Sequence, residues 1–295
     1  MKTITDNPLL IISSVFTTGA MSWKPGWLQK ADPPMEGDAS MFLEKARRQI
    51  ESADTKEKVL DLINTYEQAL KIDPQNREAL MGAAWFNCLI ALAYAENNDE
   101  GRNRFIKATT CCEQVMYLNP EFAKLADDGE AVWDASRVLS KTEIEALFLW
   151  YISASCCWKE CLSGFTRLVN LKWLFRCKKV LEHLMHIDPS WGGGTPYYAW
   201  ANFYAAVPRF AGGDTKKAAE YYKKAIELGP VMLNFRRTRA MLLHTKNKDR
   251  KGLEQDLNWV IAQDPKKRRH YFTYPYAVFV QREAREVLAN IDDYL

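Results

Sequence analysis

Five segments of this chain end the same way, with an apolar helical stripe running into Asp, Asn or Gly and then proline: YEQALKIDPQ from Tyr66, CEQVMYLNPE from Cys112, LEHLMHIDPS from Leu181, YKKAIELGPV from Tyr222 and LNWVIAQDPK from Leu257. In each, an apolar or aromatic residue is followed three and four positions on by small or aliphatic ones. That spacing places one buried stripe on an amphipathic helix. Proline then stops the helix, because it lacks the N–H and disfavours helical geometry in the residue before it. Pro74, Pro120, Pro189, Pro230 and Pro265 mark the expected stops.

A supersecondary unit repeated at a period of tens of residues predicts stacked helical pairs rather than a globule with one central layer. The last two units lie 35 residues apart, close to the tetratricopeptide period, whereas the earlier spacings of 46, 69 and 41 call for lengthened or inserted helices. In the fourth unit Ala218, Tyr222, Ala225 and Pro230 alternate small and aromatic residues as close helix packing needs. The expected fold is therefore all-α, a tetratricopeptide-like helical-repeat solenoid with lengthened or inserted helices.

Between the second and third units, Thr142 to Val180 reads as largely continuous apolar helix, broken near Gly164. Residues 1–40 read as an irregular arm rich in Pro and Gly, and residues 41–295 as one helical-repeat domain. Within the arm, the apolar run from Pro8 to Met21 resembles a weak signal-peptide core with Thr18 and Ala20 as cleavage-site residues, and a tucked-in segment is the alternative. The run is too short to span a bilayer as an ordinary helix. Compartment is left open between a periplasmic or membrane-associated protein and a cytoplasmic one.

With 47% hydrophobic and 26% charged residues the composition is that of a soluble globular protein, and a formal charge of +3 argues for neither nucleic acid nor an anionic partner by itself. Seven cysteines, without CxxC spacing, argue against a disulfide framework. Cys156, Cys157, Cys161 and Cys177 lie in apolar helix, where burial as small hydrophobes is favoured over a metal cluster. His183 and His186 share a helix face but lack the companion ligands a metal site needs, and Gly192, Gly193 and Gly194 lack the strand and the Lys-Ser/Thr pair of a phosphate loop. No catalytic motif stands out, so the expectation is a non-enzymatic protein without cofactor. The cations Arg236, Arg237, Arg239, Lys246, Lys248, Arg250 and Lys251, followed by Lys266, Lys267, Arg268 and Arg269, read as a solvated face before they read as a nucleic-acid surface.

The departures from the repeat are more informative. Trp191 to Leu228, WGGGTPYYAWANFYAAVPRFAGGDTKKAAEYYKKAIEL, begins with a Gly-rich entry and continues into a small and aromatic helix. Gly212 and Gly213 are expected to turn the chain, with Asp214 capping the next helix. Tyr197, Tyr198, Trp200, Asn202, Phe203 and Tyr204 are too densely aromatic for a single buried stripe. Some of these rings are expected to line a groove or channel, with crowding between repeat helices as the ordinary alternative. Tyr197, Trp200, Asn202, Tyr204 and Arg209 form the candidate partner groove, Arg209 being suited to a two-point carboxylate contact.

This segment, with Ala284, Leu288 and the terminal IDDYL, resembles the T-component (TatT) family of tripartite ATP-independent periplasmic (TRAP) transporters. The resemblance implies a homotrimer around an apolar channel that docks the periplasmic solute-binding subunit for organic-acid uptake. It also implies a lipoprotein, yet no cysteine follows the N-terminal apolar run, which leaves peripheral membrane association open. The alternative is a tetratricopeptide-like scaffold holding together another cytoplasmic or membrane-associated complex.

Overall fold

The computed structural model describes residues 21–29, 33–267 and 269–295, and the protein is all-α. The signal-like run before Met21 and the cation Arg268 lie outside these residues. The first four helices are α1 (Ala39–Ile50), α2 (Lys56–Ile72), α3 (Arg77–Ala93) and α4 (Asn98–Tyr117), each packed on the next. Their starts are set locally. Asp38, Thr55, Asn76 and Asn97 each accept a hydrogen bond from a first-turn backbone N–H, a cap worth about 1 kcal/mol apiece.

The prolines act as stops, with one variation. α2 ends one residue before Asp73-Pro74, and Pro120 both follows the end of α4 and occupies the first turn of α5 (Pro120–Asp127), where its missing N–H costs nothing. After the short α6 (Val132–Ala135), the long apolar stretch divides into α7 (Ile144–Glu160), α8 (Gly164–Val169) and α9 (Lys172–Ile187). It thus breaks twice, just before Gly164 and again at Asn170. α7 packs against both α4 and α9, which explains why Phe148, Trp150, Tyr151 and Ala154 are all buried although they do not share one face.

One carboxylate pins the arm that precedes α1. Glu113 on α4 is 2% exposed and accepts from the indole N–H of Trp23 and of Trp150, each at 2.9 Å, and from the Gly26 N–H at 2.7 Å. Upstream, buried Met21 donates its backbone N–H to Asn170 Oδ1 at 2.7 Å and accepts from Trp173 Nε1 at 2.8 Å. The Trp23 ring stacks on Trp173 at 4.7 Å. Met21 and Gly26 are therefore buried, and Trp23 and Trp27 pack against the core.

The C-terminal part comprises α10 (Trp191–Ala206), α11 (Thr215–Leu228), α12 (Leu233–Arg239), α13 (Arg250–Ile261) and α14 (Tyr274–Ala289). α12 continues through a π-helical turn, Ala240–His244, before Thr245–Asn247. At the head of α10, Gly192, Gly193 and Gly194 have φ of 57°, 71° and 87°, a left-handed turn that delivers Pro196 into the right-handed helix. A Cβ on Gly194 would lie 2.8 Å from Leu228 Cβ. Gly194→Ala is expected to lower stability by about 1–3 kcal/mol, from combined backbone strain and contact with α11. Urea denaturation measures this, and an unchanged midpoint would contradict the left-handed turn. Further on, Gly212 adopts φ 101° and the Asp214 carboxylate accepts from the N–H groups of Lys216 and Lys217 at 2.9 and 3.1 Å.

Candidate functional site

The last helix packs back against the third. On α14, the Tyr276 hydroxyl donates to the Trp85 carbonyl at 3.2 Å, and Arg282 donates to the Ala93 carbonyl at 3.0 Å, near the C-terminal end of α3. The Arg282 guanidinium also lies 4.8 Å from the centre of the Tyr94 ring. Between α3, the start of α7 and the loop before α14 this packing leaves a cleft of about 990 Å³, a volume at the upper end of ligand-sized sites.

Its floor is built from the first repeat motif. Tyr66 on α2 lays its ring over Gly82 on α3, where a Cβ would meet the ring at 2.3 Å, and stacks on Phe86 at 6.1 Å. Burial pushes the Tyr66 hydroxyl up to about 12, so it remains a neutral donor at physiological pH. Met81 and Trp85 continue the apolar floor along α3. The rim is charged in both senses. Arg47 pairs with Glu78 at 2.5 Å, and Arg77 donates to the Thr142 carbonyl at 2.6 Å and to Glu143 at 3.1 Å. Burial raises the Glu143 carboxyl, but the bonds from Ser140, Arg77 and Asn119 outweigh it and hold it below the usual carboxylate range.

The opposite wall is a loop held by a buried cation. Arg269, 3% exposed, donates to the carbonyls of Lys267 and Asp264 at 2.6 and 2.8 Å. This folds the loop so that Lys266, His270, Tyr271 and Tyr274 line the cleft. His270 takes the left-handed conformation at φ 48°, unusual for a residue with a side chain.

At the inner end of the cleft Tyr271 is held between two indoles, stacked on Trp85 at 5.1 Å and on Trp191 at 5.3 Å. Its hydroxyl accepts from Thr195 at 3.0 Å, and the Trp85 indole N–H donates to Glu145 at 2.6 Å. Behind Trp85 and Tyr271 lies a smaller chamber of about 80 Å³, walled by Phe148, Tyr198, Phe272 and Phe279. Asn234 Oδ1 and Arg237 Nε, from residues on that wall, are buried without hydrogen-bond partners. Cleft and chamber share Trp85 and Tyr271. These two rings thus line both the wide polar-rimmed cleft and the smaller aromatic chamber.

The residues singled out in the sequence fall elsewhere on α10. Trp200 is buried and stacks on Tyr204 at 5.3 Å, while Tyr204 and Tyr197 both meet Tyr221 of α11, at 5.3 and 5.7 Å. Asn202 accepts from the buried Tyr222 hydroxyl at 2.6 Å, and Arg209 is exposed beside Phe210. None of these five lines the cleft or the chamber; their neighbour Tyr198 does. Trp85, Tyr271, Tyr274 and Arg77 were not singled out. A signal existed for Trp85 alone, in that Ala79 to Ala93 is apolar nearly all round, as a helix contacted on two sides must be.

The cysteines are distributed through the core rather than gathered at the cleft. Burial pushes the Cys88 thiol up to about 11 and those of Cys111 and Cys177 to about 12, which keeps them protonated and unreactive. Some of the C-terminal cations are used in ion pairs, Arg236, Arg237 and Arg239 partly buried and Arg250 on the surface. Arg236 and Arg239 pair with Asp256, Arg237 with Glu283, and Arg250 with Asp292.

The protein is thus all-α, with an aromatic, polar-rimmed cleft between its third and last helices. The family model of the TRAP transporter T-component, TAtT, matches residues 61–295, and the chain belongs to that family. No curated protein matches the chain.

Proposed function

We propose that this T component docks the periplasmic solute-binding subunit of its transporter across the mouth of the cleft and supports uptake of an organic acid. The observation that carries the reading is the cleft itself, with its apolar floor at Tyr66, Met81 and Trp85 inside a rim that includes Arg47, Arg77 and Lys266. Apolar floors with polar rims are the anatomy of protein contacts, and this rim offers both charges, Glu51, Glu78 and Glu145 standing beside the cations. The outer face of α10 is the second contact surface. There the half-buried Tyr197 and Tyr204 adjoin exposed Arg209 and Phe210, with Trp200 and Asn202 packed beneath.

Affinity capture with crosslinking in the native host tests the docking. Recovery of a TRAP solute-binding subunit is expected, and its absence under conditions that recover other periplasmic partners would defeat the reading. Assembly as a homotrimer belongs to the same proposal. Light scattering should then return three times the 34.0 kDa chain mass; a monomer would remove the trimer and leave the docking reading standing.

A further inference from the structure

We propose that the short helix α8 and the first turns of α9 form a surface that docks on an anionic lipid bilayer. Four large apolar side chains stand in solvent there: Phe165 is 66% exposed, Leu168 58%, Val169 41% and Phe175 60%. Backbone bonds from Asn170 to Arg167, Leu171 to Leu168, Trp173 to Asn170 and Leu174 to Leu171 carry the helical advance across the join between α8 and α9. Phe165, Leu168, Lys172 and Phe175 therefore follow one another along one side of a kinked rod. Buried Leu174 and Cys177 hold the other side against the core.

Charge selects the occupant. Between Lys159 and Lys179 the chain has six cations and a single carboxylate, Glu160, although the whole protein carries a formal charge of only +3. Two of the cations reach acidic neighbours, Lys178 pairing with Glu182 and Lys179 with Asp134. Counting those neighbours still leaves six cations against three carboxylates. Arg167, Lys172 and Arg176 form no ion pair among the described residues, and Arg176 instead covers the Trp133 ring at 3.9 Å. An apolar stripe flanked by Lys and Arg is the pattern of helices that lie in a membrane interface, and the cations add attraction to anionic headgroups.

A two-fold contact with a second copy fits poorly, because it would bring this cationic face against itself; a ring contact against a different face of another copy would show as self-association that substitution of the apolar stripe abolishes. A spanning contact is not available to the described residues, none of whose helices is long and apolar enough to cross a membrane. The polypeptide also enters the described fold here, since Met21 is bonded to Asn170 at the join and to Trp173 on α9. The inference is independent of the docking reading, and capture of the solute-binding subunit needs no lipid.

Flotation of the full chain with vesicles tests it, using phosphatidylglycerol mixed with phosphatidylcholine against phosphatidylcholine alone. Binding to the anionic vesicles is expected, weakening steeply with salt. The triple substitution Phe165→Ser, Leu168→Ser, Phe175→Ser should reduce it tenfold or more, and so should the pair Arg167→Glu, Lys172→Glu. Unchanged circular dichroism shows that each variant folds. Three results overturn the proposal: no partition onto anionic vesicles, partition indifferent to both sets of substitutions, or self-association of the wild type that the triple substitution abolishes.

Discussion

Asp256→Ala should destabilise the protein by about 3 kcal/mol, the lower end of the cost of breaking a buried ion pair, because the carboxylate is buried while Arg236 and Arg239 are only partly so. Asp256 on α13 is 1% exposed and accepts from Arg239 through two bonds, at 2.7 and 2.6 Å, and from Arg236 at 3.3 Å. His244, on the π-helical turn, adds a contact at 3.4 Å to Asp256 and one at 2.8 Å to Asp249. Without the carboxylate the two partly buried guanidinium groups lose their shared acceptor. Burial raises the Asp256 carboxyl, but the hydrogen bonds and charges of His244 and Arg239 outweigh it and leave the group below its ordinary value. A carboxylate lowered in the fold stabilises fully above its unfolded value of about 3.9 and loses that contribution as pH falls through the folded one. Urea denaturation should therefore show the wild type losing stability on acidification below about pH 4, with the Asp256→Ala variant flatter in that window. Equal slopes would contradict the assignment.

Glu113→Ala should cost about 2–4 kcal/mol, because it strands the Trp23, Trp150 and Gly26 N–H groups in the core and opens a cavity. The loss should also free the arm. Limited proteolysis between Trp23 and Trp27 is expected to accelerate, whereas uniform acceleration across the chain would indicate general unfolding instead. The pH sign is opposite to that of Asp256. Burial raises the Glu113 carboxyl despite its three donors. A carboxyl raised in the fold contributes most below its unfolded value of about 4.3, and that contribution declines as pH rises through the folded one.

What was legible in the sequence was what acts over a few residues. Pro74, Pro189 and Pro230 follow helix ends, and Asp214 caps α11, because these are interactions of a residue with its own turn. The arm was undetermined because Glu113 lies 90 positions from Trp23, and neither residue type signals the other. The cleft was hidden for the same reason, since the Tyr276–Trp85 bond between the last helix and the third joins residues 191 apart. On α10 the excess of aromatic residues was visible, but which ring faces inward depends on helical phase. Tyr198 reaches the chamber while its neighbour Tyr197 meets Tyr221 of α11. The basic C-terminal run was visible as charge, while its counter-charges, the buried Asp256 and half-buried Glu283, were unremarkable acidic residues in helical sequence.

The central claim is that this T component works by binding through its cleft. It is tested most directly by titrating the purified protein with the purified solute-binding subunit of its own transporter, comparing wild type with Met81→Trp, which fills the cleft floor. Saturable binding that weakens at least about tenfold in the substituted protein, a loss of about 1.4 kcal/mol or more, is the predicted result. Absent binding, or binding of equal strength in the two proteins, would contradict it.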